Sequence, residues 1–214
     1  MEKNKLALLV GAAPIGEEKK LLLEYASRDD VYIVAVDGGL NYLRFHGISP
    51  SFIIGDMDSA LAGYEGLIGN VPFEKVPVIK DDTDMGLALR HVADMGYREV
   101  AIFGGAGGMR MSHTFANVQL MHKYSRCGIK VTMYSDKDIM CVLTSGALTF
   151  DESHGGYISV LALTDEADVS IKGLFYEYTG TLTNEYALGQ SNEFIGKKAS
   201  VFVERGAVLV IWGL

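Results

Sequence analysis

Six short apolar runs, with helical patterns between them, constrain the fold of this chain more than any other feature. LALLVGAA, VYIVAVD, SFIIGD, VPVI, EVAIFGG and KVTMYSD are rich in valine and isoleucine, most end in glycine or aspartate, and all read as strands. Met85, Ala88, Leu89 and Val92 fall at i, i+3, i+4 and i+7, and Leu21, Leu22, Tyr25 and Ala26 cluster on a second helical face. Continuous apolar strands alternating with amphipathic helices predict a parallel sheet covered on both sides, a Rossmann-like α/β domain. From about Asp136 the pattern changes. IMCVLTSGALTF, YISVLALT, ADVSIKG, LFYEYTG and KASVFVERGAVLVIWG follow one another with turns such as Arg205-Gly206 and no helical window, which predicts an all-β antiparallel sandwich. The expected domains are 1–136 and 137–214.

With 214 residues, 49% of them hydrophobic, the chain can bury one sizeable core or two modest ones. A formal charge of −8 argues against a nucleic-acid partner, which usually meets a clustered basic face. No run approaches the roughly 20 apolar residues of a membrane span, and the start MEKNKLALLVGAAPIGEE has no signal-peptide pattern. The expected location is cytoplasmic. Cys127 and Cys141 lack zinc-site spacing and read as two small buried hydrophobes in a reducing compartment.

An open parallel sheet binds its ligands outside the carboxyl ends of its strands. Four such ends carry acid or glycine: Asp37-Gly38-Gly39, Asp56-Met57-Asp58-Ser59, Asp81-Asp82-Thr83-Asp84, and Gly104-Gly105-Ala106-Gly107-Gly108-Met109-Arg110. In an extended segment Asp56 and Asp58 point the same way, and Asp84 arrives from the next strand end. Converging carboxylates repel one another unless a hard divalent cation with oxygen ligands lies between them, and magnesium is the expected ion. For Asp82, Thr83 and Asp84 a second reading stands beside this one: they cap the helix that starts there.

The glycine-rich segment offers unhindered amides followed by a guanidinium, which suits a polyphosphate. It is not a P-loop, because GxxxxGK[ST] occurs nowhere in the chain. His113 reads either as a helix-start residue or as part of this site. Trp212 reads either as packing at the end of the run Val208 to Ile211 or as a stacking partner for a cation.

Taken in order, Asp37-Gly38-Gly39 with Asn41, Gly55-Asp56-Met57-Asp58-Ser59, Lys80-Asp81-Asp82-Thr83-Asp84, and Gly107-Gly108-Met109-Arg110 with His113 resemble the thiamine pyrophosphokinase family. The resemblance continues through Tyr157 to Val160, Gly173-Leu174, Ser191-Asn192-Glu193, Ala199-Ser200-Val201 and Gly206, so it covers nearly the whole chain. It implies transfer of pyrophosphate from ATP to the hydroxyl of thiamine, giving thiamine diphosphate and AMP. It further implies Mg2+ and a homodimer with composite active sites. On this resemblance Asp56, Asp58 and Asp84 hold the metal and, with Arg110, carry catalysis. Lys80, Asp82, Thr83, Gly107, Gly108, Arg110 and His113 face ATP, while Asp37, Asn41, Ser191 and Asn192 face thiamine, the last two from the other subunit.

One departure is plain: between the arginine and the histidine the family pattern carries an aspartate, whereas this chain reads Arg110-Met111-Ser112-His113. Serine forms hydrogen bonds but supplies no charge. Two other readings accompany the resemblance, the first because the phosphate motifs do not fix the acceptor and the second because of Ser112. One is a pyrophosphokinase of the same fold acting on a pterin-like hydroxymethyl heterocycle, and the other is a degenerate module that binds thiamine without turnover.

Overall fold

The computed structural model describes residues 6–55, 71–75, 81–108 and 110–214. The chain divides into two compact units, Met1–Leu120 with Ile129–Asp136, and Met121–Gly128 with Lys137–Leu214.

The first unit is built on strands β1 (Leu6–Val10), β2 (Val31–Val36), β3 (Phe52–Gly55), β4 (Phe73–Lys75), β5 (Glu99–Phe103) and β6 (Lys130–Tyr134). All pair in parallel, in the order β4-β3-β2-β1-β5-β6. Helices α1 (Lys19–Ala26), α2 (Gly39–Phe45), α3 (Asp84–Asp94) and α4 (Met111–Ser125) connect them. Every residue of β1 is buried, as expected for a strand covered on both faces. On α3 all four residues of the helical pattern, Met85, Ala88, Leu89 and Val92, are buried. On α1 only Leu22 is, so the second pattern marks the helix but overstates its apolar face. Chain order reverses between β1 and β5, and open α/β sheets bind their ligands at such a switch point.

In the second unit, β7 (Asp138–Leu143), β8 (Gly146–Phe150), β9 (Tyr157–Ala162), β10 (Glu166–Lys172), β11 (Tyr178–Thr183), β12 (Asn192–Glu193), β13 (Ala199–Arg205) and β14 (Val208–Gly213) pair antiparallel. They run in two arrays, β12-β9-β14-β7 and β11-β10-β13-β8. Alternate residues of both arrays meet in one apolar cluster that includes Phe150, Val160, Val169, Val201 and Val210. Trp212 packs against it, edge-on to Phe150 at 5.3 Å between ring centres. Cys141 belongs to the same cluster, but Cys127 is exposed in the turn after α4, so only one cysteine is the buried hydrophobe expected of both.

Two strand expectations need correction or lie elsewhere. The run from Leu174 to Gly180 is not one strand: β11 begins only at Tyr178, and Leu174 makes an isolated bridge to Phe194. Phe175 and Tyr176 are exposed, so their aromatic character marks a surface turn rather than a buried strand. VPVI lies outside the described residues.

Candidate active site

At the carboxyl end of the parallel sheet, backbones approach too closely for side chains. The Gly11 amide donates to Phe103 O at 2.8 Å, and the Ala13 amide to Gly104 O at 3.0 Å, which joins the loops after β1 and β5 at the switch point. A Cβ on Gly39 would overlap Val10 O, so only glycine lets α2 start directly above β1. Gly104, at φ +63°, faces Gly11 O in the same way.

This packing gathers several of the expected residues. Asp37 follows β2 in the left-handed region at φ +50°, with its amide donating to Ile54 O at 2.8 Å. Aspartate tolerates that conformation better than most residues, though at a cost. Asn41 lies on the first turn of α2, half-buried. The start of α3 reaches the same edge: a Cβ on Gly11 would stand 3.2 Å from the Met85 Cε. There Thr83 is the N-cap, its hydroxyl oxygen accepting from the Gly86 amide at 3.0 Å, and Asp84 opens the helix. Asp82 Oδ1 accepts from the Thr83 amide at 2.8 Å. The capping reading is therefore realised by Thr83, whose O–H proton stays available to an oxygen acceptor.

The glycine-rich turn lies over the end of β5. Gly107 and Gly108 are exposed, at φ +78° and +76°. The Gly107 amide donates to the Thr114 hydroxyl at 3.0 Å, so α4 fixes the turn from its own first turns. Asn117, 7% exposed, donates to Gly105 O at 2.6 Å. Arg110, Ser112 and His113 are all exposed beside this turn. Asp56, Asp58 and Lys80 lie outside the described residues. Among the described residues no three acidic, histidine or cysteine side chains gather as a metal site.

Ser191 and Asn192 belong to the second unit. Ser191 is exposed in the left-handed region at φ +58°, its amide donating to the Ser159 hydroxyl at 3.0 Å. Asn192 is 6% exposed and grips the backbone of Tyr176. Its Oδ1 accepts from the Tyr176 amide at 3.0 Å and its Nδ2 donates to Tyr176 O at 2.7 Å.

Glu18, Thr114 and Asn117 are absent from the residues expected of the site. Glu18 is fully buried beneath the loop after β1, accepting from the Gly16 amide at 2.8 Å. Burial pushes its carboxyl above the usual range against two backbone hydrogen bonds that pull it down. In sequence it stands in Glu17-Glu18-Lys19-Lys20, which reads as a solvated face.

A parallel sheet with an acid- and glycine-lined carboxyl edge, joined in one chain to an antiparallel β unit, defines a two-unit α/β-plus-β protein of the class that binds its ligand at that edge. Residues 23–133 match the model of the thiamin pyrophosphokinase catalytic domain, and residues 147–208 match that of the thiamin pyrophosphokinase vitamin B1 binding domain. The thiamine pyrophosphokinase of Bacillus subtilis is 25% identical over 203 residues, covering 92% of this chain and 94% of that protein. The crystal structure of the B. subtilis protein superposes with a TM-score of 0.85 at 23% identity, covering 98% of this chain and 99% of that one. The Geobacillus thermodenitrificans structure gives 0.83 at 24%, covering 98% and 97%, and the yeast structure 0.80 at 16%, covering 100% and 87%. The chain belongs to the thiamin pyrophosphokinase family, and it is an enzyme of the thiamine diphosphokinase class.

Proposed function

We propose that the chain converts ATP and thiamine to AMP and thiamine diphosphate at the carboxyl end of its parallel sheet, beside the β1–β5 switch point. The observation that carries this is the meeting there of the glycine-rich turn, the start of α3 and the Asp37–Asn41 segment. Thiamine's primary hydroxyl is a weak nucleophile that must meet the β-phosphorus in line with the departing AMP oxygen. Positioning and charge neutralisation therefore account for most of the rate.

Arg110, beside the exposed Gly107 and Gly108, supplies a guanidinium to the phosphates. Thr83 adds its hydroxyl proton, and Asp82, Lys80 and His113 are assigned to ATP as well. Asp84, at the carboxyl edge, fits a hard oxygen-liganded ion, with Asp56 and Asp58 as the other ligands of Mg2+. Bound there, the ion would neutralise charge on the transferring phosphates. Asp37 and Asn41 face thiamine. In a homodimer with composite sites, the partner subunit's Ser191 meets it from the other side, and the partner subunit's Asn192 contributes by fixing the Tyr176 segment. Residues 1–136 then form the ATP and metal domain, and residues 137–214 the acceptor and dimerisation domain.

A cytoplasmic setting suits the free cysteines Cys127 and Cys141. Among the described residues no helix is long and apolar enough to cross a membrane. The family match favours neither a pterin acceptor nor a binding module without turnover. The test is AMP release from ATP over a panel of acceptors. Thiamine should support it and a hydroxymethyl pterin should not; AMP with the pterin alone, or with neither, contradicts the reading.

A further inference from the structure

The loop after β1 crosses the end of β5 and reaches the end of β6, two strands away. Its first residues are bonded to the end of β5 through the Gly11 and Ala13 amides. Its middle lies against the glycine-rich turn: a Cβ on Gly108 would stand 3.4 Å from Pro14 Cδ and 3.7 Å from the Ala13 Cβ. Its last residues are held by two acids. The Gly16 amide donates to Glu18 Oε2 at 2.8 Å, and the Glu17 amide donates to Asp136 Oδ1 at 3.0 Å, across 119 residues of sequence. Asp136 stands just past β6, which ends at Tyr134.

Gly16 is where loop and acid close on each other. A Cβ there would overlap Asp136 Oδ1 and stand 2.9 Å from its Cγ. Gly16 is not among the glycines at positive φ, so the close approach of Asp136, rather than the backbone, calls for glycine at this position. A carboxylate accepting from a backbone amide makes a charge-assisted bond, stronger than one between neutral groups. Asp136 therefore anchors the free-running end of a loop whose middle touches Gly108.

We propose that Asp136 is a positioning residue for the nucleotide: by holding Gly16 and Glu17 it fixes the loop after β1 against Gly108, and so sets the wall beside which the phosphates lie. The role rests on the reading above that the glycine-rich turn faces ATP. Loss of the anchor should therefore appear in ATP affinity and not in the chemical step or in thiamine affinity.

Kinetics of four variants test this. Asp136→Ala should raise the ATP KM about fivefold while kcat and the thiamine KM change about twofold or less. Asp136→Asn keeps the Oδ1 acceptor and should return the ATP KM to near wild type; a loss as large as that of alanine would mean that the charge meets ligand or metal directly, and overturns positioning. Gly16→Ala displaces the carboxylate and should match Asp136→Ala. With alanine at 136 the nearest remaining atom of that side chain is its Cβ, 3.4 Å away, an ordinary contact, so the double variant should be no worse than either single one. Additive losses overturn the account. Asp136 is exposed, so the urea midpoint should move little; a large fall in the midpoint with an unchanged ATP KM would reduce Asp136 to a structural brace. Amide hydrogen exchange across residues 11–17 reads the anchor without substrates: it should quicken in Asp136→Ala and not in Asp136→Asn, and unchanged exchange overturns the anchor. A wild-type protein that never turns over ATP with thiamine removes the functional reading and the nucleotide role with it, while the exchange arm decides the anchor separately.

Discussion

Asn117 donates from a buried side-chain amide to the carbonyl of Gly105 at 2.6 Å, so the middle of α4 holds the turn at the end of β5. Thr114 secures the Gly107 amide from the same helix. The glycine-rich turn is thus fastened at two points, while Gly108 and Arg110 stay exposed.

Replacing Asn117 by alanine strands the Gly105 carbonyl in the interior, at a cost of about 1–3 kcal/mol. Urea unfolding should show that loss. The looser turn should also raise the KM for ATP more than that for thiamine. An unchanged unfolding midpoint would show that the hydrogen bond does not hold the turn.

Thr83 carries two readings that a short series separates. Thr83→Ala removes the cap of α3 and should cost about 1 kcal/mol of stability, while Thr83→Ser should keep it. If the hydroxyl also meets a phosphate, the alanine variant will raise the ATP KM beyond what the serine variant shows. Equal ATP KM values in the two would reduce Thr83 to a cap.

Legibility in the sequence followed the reach of the forces involved. β1, β2, β5 and β6 lie where their apolar runs predict, and α3 buries the four residues of its pattern, because burial on two faces or one stripe dictates composition directly. α2 went unread: it has seven residues, and only Leu40 and Leu43 among its larger side chains are buried, too few to show a period. β4 has three residues, two of them exposed and charged, so pairing with β3 rather than composition makes it a strand. At the site, Asp37, Thr83 and the glycine turn were legible because strand ends are where acids and glycines stand out. Glu18 and Asn117 were not, since only the close approach of loops from distant positions buries a polar side chain of ordinary local context.

Ser112 stands exposed in the first turn of α4, where the family pattern carries aspartate. Ser112→Asp should stabilise the helix by about 0.3–1 kcal/mol through the dipole. If the missing carboxylate steers metal or acceptor, kcat should rise about tenfold, equivalent to roughly 1.4 kcal/mol, with little change in the ATP KM. A gain in stability with unchanged or lower kcat would mean that another acid already fills the role.

His91 predicts a pH dependence of stability. Its ring stacks on Phe52 at 4.0 Å, and its Nε2 lies 3.2 Å from the Tyr32 hydroxyl. Burial lowers its pKa below the ordinary 6.5, against the pull of Glu74 and Asp94. The unfolded chain then binds the proton more tightly than the folded one, so this contribution is complete above pH 6.5 and is lost as pH falls through and below it. The stability difference between wild type and His91→Phe should be constant from neutral to alkaline pH and shift against wild type under mild acid. A difference independent of pH would contradict the burial account.

The transfer itself is tested most directly by following the label from ATP carrying isotopic phosphorus at the β position, incubated with enzyme, thiamine and Mg2+. Pyrophosphoryl transfer places the label in thiamine diphosphate and leaves AMP unlabelled, in equal amounts, and Asp84→Asn should lower the yield by orders of magnitude. Labelled ADP as the product, or label that never reaches thiamine, would contradict the account.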